Sequence, residues 1–98
     1  MTGDEVPVAN CPLVGPVPHS GLSEIYQQAT LENVSQADCE KACRESHEYV
    51  CKSFQMNGEK CFLMATNRDE VALEKMDGVL YFELSCNGRL VLISDAWP

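Results

Sequence analysis

The sequence predicts a single small α+β domain that is stapled by disulfides. Its 98 residues leave room for one domain. It has six cysteines, and an even number in so short a chain usually records a disulfide framework, because a small domain buries too little apolar surface to offset the entropy of ordering its backbone. One clear helix start is followed by segments that have the composition of strands and end at tight turns.

Composition and charge exclude several classes of partner. The formal net charge is −8, from fifteen Asp and Glu against seven Lys and Arg, which argues against nucleic acid, heparin and anionic membrane surfaces as ligands. No apolar run reaches the roughly 18 residues of a spanning helix, so we expect no membrane insertion.

The cysteine density predicts a secreted or extracellular protein at the cell surface, in a matrix or in a secretory organelle. Residues 1–5 lack the pattern of a signal sequence, so we expect the chain to be one module of a longer protein with other domains. The alternative is a complete cytosolic protein with six reduced thiols.

The first elements are extended. Residues 1–22 hold four of the five prolines and three of the six glycines, which predicts an extended or turn-rich segment that is attached at Cys11, with residues 1–10 as a flexible lead-in. Ser23 to Thr30 places Ile25 and Tyr26 among polar neighbours, which predicts a short half-buried strand.

A helix is predicted from about Gln36 to Ser46. Ser35, three residues before Asp38, resembles the capping box of a helix N-terminus. Cys39 and Cys43 lie four residues apart and therefore on one face, so both should point at the same partner surface. The helix has no wide apolar stripe, and its attachment should depend on these cysteines.

A hairpin should follow, with strands over Tyr49 to Met56 and Lys60 to Met64 and a turn at Asn57-Gly58. A two-residue Asn57-Gly58 loop would place Cys51 and Cys61 on opposite faces of the ribbon. If both cysteines reach the helix, that register is wrong. We therefore predict a loop of odd length, most simply three residues, or else a bulge near Cys51.

The rest of the chain predicts one strand between a polar loop and a C-terminal extension. Residues 65–78 are polar and predict a loop, with a short helical turn near Val71 to Leu73. Val79 to Leu84 is apolar at nearly every position, which is typical of a strand that is covered on both faces. Residues 87–98 form a C-terminal extension, either an extra strand through Leu90 to Ile93 or a linker.

Several motifs together resemble one family, the PAN or apple domain. They are Asp38-Cys39-Glu40-Lys41-Ala42-Cys43, Cys51-Lys52-Ser53-Phe54, Lys60-Cys61-Phe62-Leu63 and Tyr81-Phe82-Glu83-Leu84-Ser85-Cys86. The resemblance covers residues 11–86. It implies an antiparallel sheet of about five strands with one helix packed across it, and disulfides that join Cys11 to Cys86, Cys39 to Cys61 and Cys43 to Cys51.

Other uses of the reactive residues have weaker support. Four thiolates could bind zinc, but the Cys-x3-Cys spacing differs from the usual Cys-x2-Cys knuckle and leaves two cysteines unexplained. His19 and His47 are isolated. The carboxylates Asp69, Glu70, Glu74 and Asp77 lack the ligand spacing of a calcium loop. No catalytic motif is present, so we expect a chain that is not an enzyme and that holds no cofactor or metal.

What remains is a binding module, and the resemblance implies adhesion through either a protein or a neutral glycan. For a protein partner, the features that count are Leu90 to Ile93, Trp97 and any unpaired strand edge. For a glycan, the candidate residues are Tyr26, Gln27, Gln28, Lys52, Gln55 and Lys60. A third interpretation is a purely structural element of a matrix.

The triplet Asn33-Val34-Ser35 is an acceptor sequence for N-glycosylation. Ser35 also suits a helix cap, and the two roles are compatible. Asn33 is therefore a candidate glycosylation site.

Overall fold

A computed structural model describes residues 11–85. In chain order it has β1 (Leu13–Gly21), a 3-10 turn (Glu24–Tyr26), β2 (Gln27–Leu31), α1 (Gln36–Arg44), β3 (Ser53–Asn57), β4 (Lys60–Met64) and β5 (Glu74–Leu84). The strands form one antiparallel sheet in the order β1-β5-β3-β4-β2, and α1 packs against β3 and β4. The predicted fold class, a small α+β domain with one helix across a five-stranded sheet, is confirmed. The expectations for residues 1–10 and 87–98 lie outside the described residues.

The helix begins where its cap predicts. The hydroxyl of Ser35 accepts a hydrogen bond from the Asp38 N–H at 3.1 Å, which satisfies one of the unpaired amides of the first turn. The helix ends at Arg44, two residues before the expected end at Ser46. Its fully buried residues are Cys39 and Cys43, so the predicted shared face of the two cysteines is what the helix turns toward the sheet.

Two disulfides attach this helix to the hairpin. Cys39 bonds to Cys61 on β4 with a Cα–Cα distance of 5.7 Å, and Cys43 bonds to Cys51, just before β3, with a Cα–Cα distance of 5.2 Å. These are two of the three pairs that the resemblance implies. The third pair includes Cys86, which lies outside the described residues.

The predicted odd-length hairpin loop is wrong. The loop is two residues, Gly58 and Glu59, because Asn57 pairs with Lys60 and Met56 pairs with Cys61. Gly58 has φ +65°, a conformation that glycine adopts without the steric cost of a side chain.

Instead, the alternation of side chains between the two faces of the sheet breaks just before β3. β3 starts only at Ser53, and Ser53 pairs with Met64, yet the Lys52 N–H also donates to the Met64 carbonyl at 2.9 Å. Two successive residues therefore face one, which is the arrangement of a β-bulge. This irregularity frees Cys51 from the alternation of the strand and agrees with the second alternative, a bulge near Cys51.

Two other elements differ from expectation. Ser23 to Tyr26 does not belong to the strand, because residues 24–26 form a 3-10 turn on which Ile25 is 77% exposed. Residues 74–78 belong to β5 instead of a loop, because they pair with the end of a nine-residue β1 through Ser20 with Lys75 and Gly21 with Glu74. Local polarity concealed this pairing, since it depends on a segment more than fifty residues earlier in the sequence.

The main core lies between α1 and the sheet. It combines the buried cysteines with apolar side chains of β3, β4 and β5, and it includes Phe54 stacked on Phe82 with ring centroids 4.8 Å apart. Aromatic pairs in offset or tilted contact add about 0.5–1.5 kcal/mol beyond their buried area. This core therefore fills the space between the helix and the sheet.

A smaller cluster of Leu22, Met64 and Tyr81 covers part of the opposite face. The buried Gln55 amide holds the chain at Leu22, since its Oε1 accepts from the Leu22 N–H at 2.8 Å and its Nε2 donates to the Leu22 carbonyl at 3.2 Å. A Cβ atom at position 21 would stand 2.7 Å from Gln55 Oε1, which is too close for a van der Waals contact. Glycine at this position therefore leaves space for the hydrogen bonds between Gln55 and Leu22.

A polar network attaches the loop after β4 to the same face. The Tyr81 hydroxyl donates to Glu83 Oε1 at 2.8 Å and accepts from the Arg68 N–H at 3.0 Å. The Arg68 guanidinium also lies 3.4 Å from that carboxylate. The pKa of Tyr81 is raised far above its usual value. Burial is the larger cause, and the Glu83 carboxylate is the second.

Replacing Gln55 with Met should destabilise the domain by about 1–3 kcal/mol, because it leaves the buried N–H and carbonyl of Leu22 without partners at similar side-chain volume. Chemical denaturation measures the change. Gln28→Met, at an exposed position of β2, is the control and should stay within about 0.5 kcal/mol. Equal stability of the two variants would show that the Gln55 contact has no such role.

Stability should fall as the pH rises above about 10, the usual tyrosine pKa. Because the Tyr81 pKa is raised in the folded protein, its contribution is fully present below the unfolded pKa and is lost at higher pH, where the unfolded chain releases the proton first. Denaturation at a series of alkaline pH values should show a shallower decline for Tyr81→Phe than for the native chain. Superimposable slopes would contradict this assignment.

Candidate binding cleft

A cleft of about 330 Å³ opens on the sheet face opposite the helix. Its floor is formed by β3 and β4, and its sides by the turn after β1, the start of β2 and the first half of β5. The lining residues are Leu22, Ser23, Glu24, Gln27, Gln55, Asn57, Phe62, Glu74, Met76 and Val79. The volume is near the lower end of the range for small-ligand pockets.

The strand register explains why these side chains share a face. Gln55 pairs with Phe62 across the hairpin, and Asn57 pairs with Val79 of β5. Directly paired residues point to the same side of a sheet, and their neighbours point to the other. Phe54, the neighbour of Gln55, therefore packs into the main core beside the helix cysteines, whereas Gln55 and Phe62 face the cleft.

The cleft combines apolar and acidic side chains. Leu22, Phe62, Met76 and Val79 are its apolar lining residues, while Glu24 and Glu74 add carboxylates from the turn after β1 and from the paired start of β5. Within residues 11–85 the ion pairs use Glu40, Glu70 and Glu83, so neither carboxylate of the cleft is paired with a cation. No Lys or Arg lines the cleft, and the site therefore attracts positive charge.

The 3-10 turn beside the cleft exposes a large apolar side chain. Ile25 is 77% exposed, directly after Glu24, whereas the following Tyr26 packs against the cluster of Leu22, Met64 and Tyr81. The inward packing of Tyr26 fixes the turn on the sheet. Ile25 is consequently held outward next to Glu24 of the cleft.

The structure brings together only some of the residues proposed for glycan binding. Gln27 and Gln55 both line the cleft. However, both polar atoms of the Gln55 amide bond to Leu22, so this side chain shapes the cleft floor. Tyr26 supports the adjoining turn, and Gln28 is exposed on β2.

The two lysines of that set lie at opposite ends of the hairpin. Lys60 pairs with Asn57 at the turn, whereas Lys52 precedes β3 at the other end. Lys52 Nζ lies 2.8 Å from Glu70 Oε2, and this hydrogen bond lowers the pKa of Glu70 below its usual value. The two lysines therefore do not form one patch.

Sequence reasoning missed Glu24, Phe62, Glu74 and Met76 as members of one site. These residues come from three segments that only the sheet pairing brings together. The sequence places Glu74 in a segment that predicts a polar loop, and Phe62 in a motif of the family resemblance. A prediction of the pairing between β1 and the start of β5 would have been needed to place these residues in one site.

Membrane-spanning helices and clusters of metal-ligating side chains are both absent from the part of the chain that the structure describes. None of its helices is long and apolar enough to cross a membrane. Between residues 11 and 85, no three His, Cys, Asp or Glu side chains are grouped so that they could hold a metal ion.

Comparison with known proteins identifies the family. No curated protein matches the chain. The model of the PAN domain matches residues 16–86, a span that holds the helix, both helix disulfides, the hairpin and β5, and that reaches from within β1 to Cys86. With most of its length matched and with the expected sheet, helix and cysteine pairs in place, the chain belongs to the PAN domain family.

Proposed function

We propose that this chain is an extracellular adhesion module that binds another protein within a larger secreted or surface protein, and that it does so through the acidic cleft. PAN domains are binding modules for proteins or carbohydrates and are generally not catalytic. The observation that supports a protein partner most directly is the cleft itself, in which apolar side chains lie beside two unpaired carboxylates and next to the exposed Ile25.

Charge complementarity defines the part of the partner that enters the cleft. A Lys or Arg side chain could place its aliphatic stem along Phe62 and Met76 while its cationic end meets Glu24 or Glu74. Arg suits this role because its planar group also stacks on aromatic rings. The net charge of −8 would steer such a basic partner toward the domain.

The extracellular setting is supported by the cysteines. None of the described cysteines is a free thiol, and disulfides of this density persist in oxidising compartments. Both helix disulfides are buried, which agrees with a structural role.

A neutral glycan is the second candidate ligand. The ring of Phe62 and the side chains of Gln27 and Asn57 line the same cleft, and an aromatic surface with a few amides is a common way to bind a sugar. This alternative uses the ring of Phe62 and the amides, and it makes no use of the charges of Glu24 and Glu74.

A charge-neutralised variant should separate the two candidates. We predict that the oxidised domain, screened on an array of immobilised peptides, selects peptides in which Lys or Arg adjoins an apolar residue. Glu24→Gln with Glu74→Gln should weaken the binding of those peptides by about tenfold or more, equivalent to roughly 1.4 kcal/mol. Added salt should also weaken it.

The matched control is Glu32→Gln with Glu48→Gln, which removes the same charge at exposed positions that do not line the cleft. This control should retain binding. An equal loss in both double variants would show that only net charge matters. Selective binding to neutral sugars on a glycan array, unaffected by the cleft substitutions, would support the carbohydrate alternative.

A further inference from the structure

The turn between β2 and the helix presents one side chain to solvent and anchors its neighbours. Asn33 is exposed with φ +61°, whereas Val34 packs against the main core. The Val34 N–H donates to the Glu59 carbonyl at 3.1 Å, which fixes the turn to the hairpin loop. The Asn33 side chain is therefore held outward on an ordered part of the surface.

Backbone requirements explain part of this sequence and leave part unexplained. Asparagine tolerates a positive φ better than most residues, and Ser35 caps the helix. Aspartate or glycine would also suit position 33, and the described hydrogen bonds do not include the Asn33 amide. The carboxamide is thus accessible, and this is the one Asn-x-Ser/Thr triplet in the chain.

We propose that Asn33 carries an N-linked glycan. Asn33 Nδ2 would attack the anomeric carbon of a lipid pyrophosphate-linked oligosaccharide. A C–N bond forms, the bond from that carbon to the phosphate oxygen breaks, the amide loses one proton, and the lipid pyrophosphate leaves. No electron donor or acceptor is needed. This modification rests on the extracellular route of the proposed function, since the transfer takes place during secretion.

The position of Asn33 indicates what the glycan would cover. Asn33 borders a depression of about 380 Å³ that also includes the helix start, Met56, Gly58 and Leu80. Leu80 is 37% exposed and pairs with Met56, whose side of the sheet faces the main core. The first sugars would shield this apolar spot on the helix side, and the acidic cleft on the opposite face would stay open.

Four forms of the full chain test the site, expressed behind a secretory leader in a eukaryotic host. The native chain and Ser35→Thr, which keeps both the acceptor triplet and a capping hydroxyl, should lose mass on treatment with an N-glycosidase. Asn33→Asp, which retains a residue suited to positive φ, and Ser35→Ala should not. Peptide mass spectrometry should locate the change at Asn33.

The same material distinguishes this proposal from the proposed function. Enzymatic removal of the glycan should leave binding to basic peptides unchanged, because the cleft is on the other face. A secreted, disulfide-bonded native chain without a glycan would overturn the glycosylation proposal and leave the cleft proposal standing. If the chain is not secreted, translation with microsomal membranes decides, since an unmodified product there also overturns it.

Discussion

The structure depends on the two disulfides that join one short helix to one hairpin. The helix is nine residues long, and its fully buried side chains are those of Cys39 and Cys43. A helix with so little apolar surface gains little from burial and, in isolation, is too short to be stable in water. The bonds to Cys51 and Cys61 supply the attachment, each contributing on the order of 2–4 kcal/mol by constraining the unfolded chain.

This attachment divides the sheet into two faces with different roles. On the helix side the cysteines, Phe54 and Phe82 close the core. On the other side no α-helix among the described residues covers the sheet. Loops cover it through the apolar cluster that includes Leu22, and through polar contacts from Gln55 to Leu22 and from Tyr81 to Arg68. Loops cover the face incompletely, and the acidic cleft is the part that they leave open.

The sequence predicted those elements that depend on residues close together in the chain. The Ser35 cap, the cysteine face of the helix and the two hairpin strands follow from residues near them in sequence. The length of the hairpin loop did not, because the prediction assumed that side chains alternate regularly from Cys51 onward, and the bulge at Lys52 and Ser53 breaks that alternation. The cleft did not either, since Glu24 and Glu74 approach each other only when β1 pairs with β5. Those features depend on pairing between distant segments, which residue spacing does not encode.

Hydrogen exchange tests most directly whether the disulfides, and not apolar packing, hold the helix. The amides of residues 36–44 are compared between the oxidised native domain and a variant with alanine at Cys39, Cys43, Cys51 and Cys61. We predict that the helix amides lose far more protection than those of β3 and β5, because the helix opens as a separate unit once its bonds are absent. Unchanged helix protection, or equal loss across helix and sheet, would contradict this account.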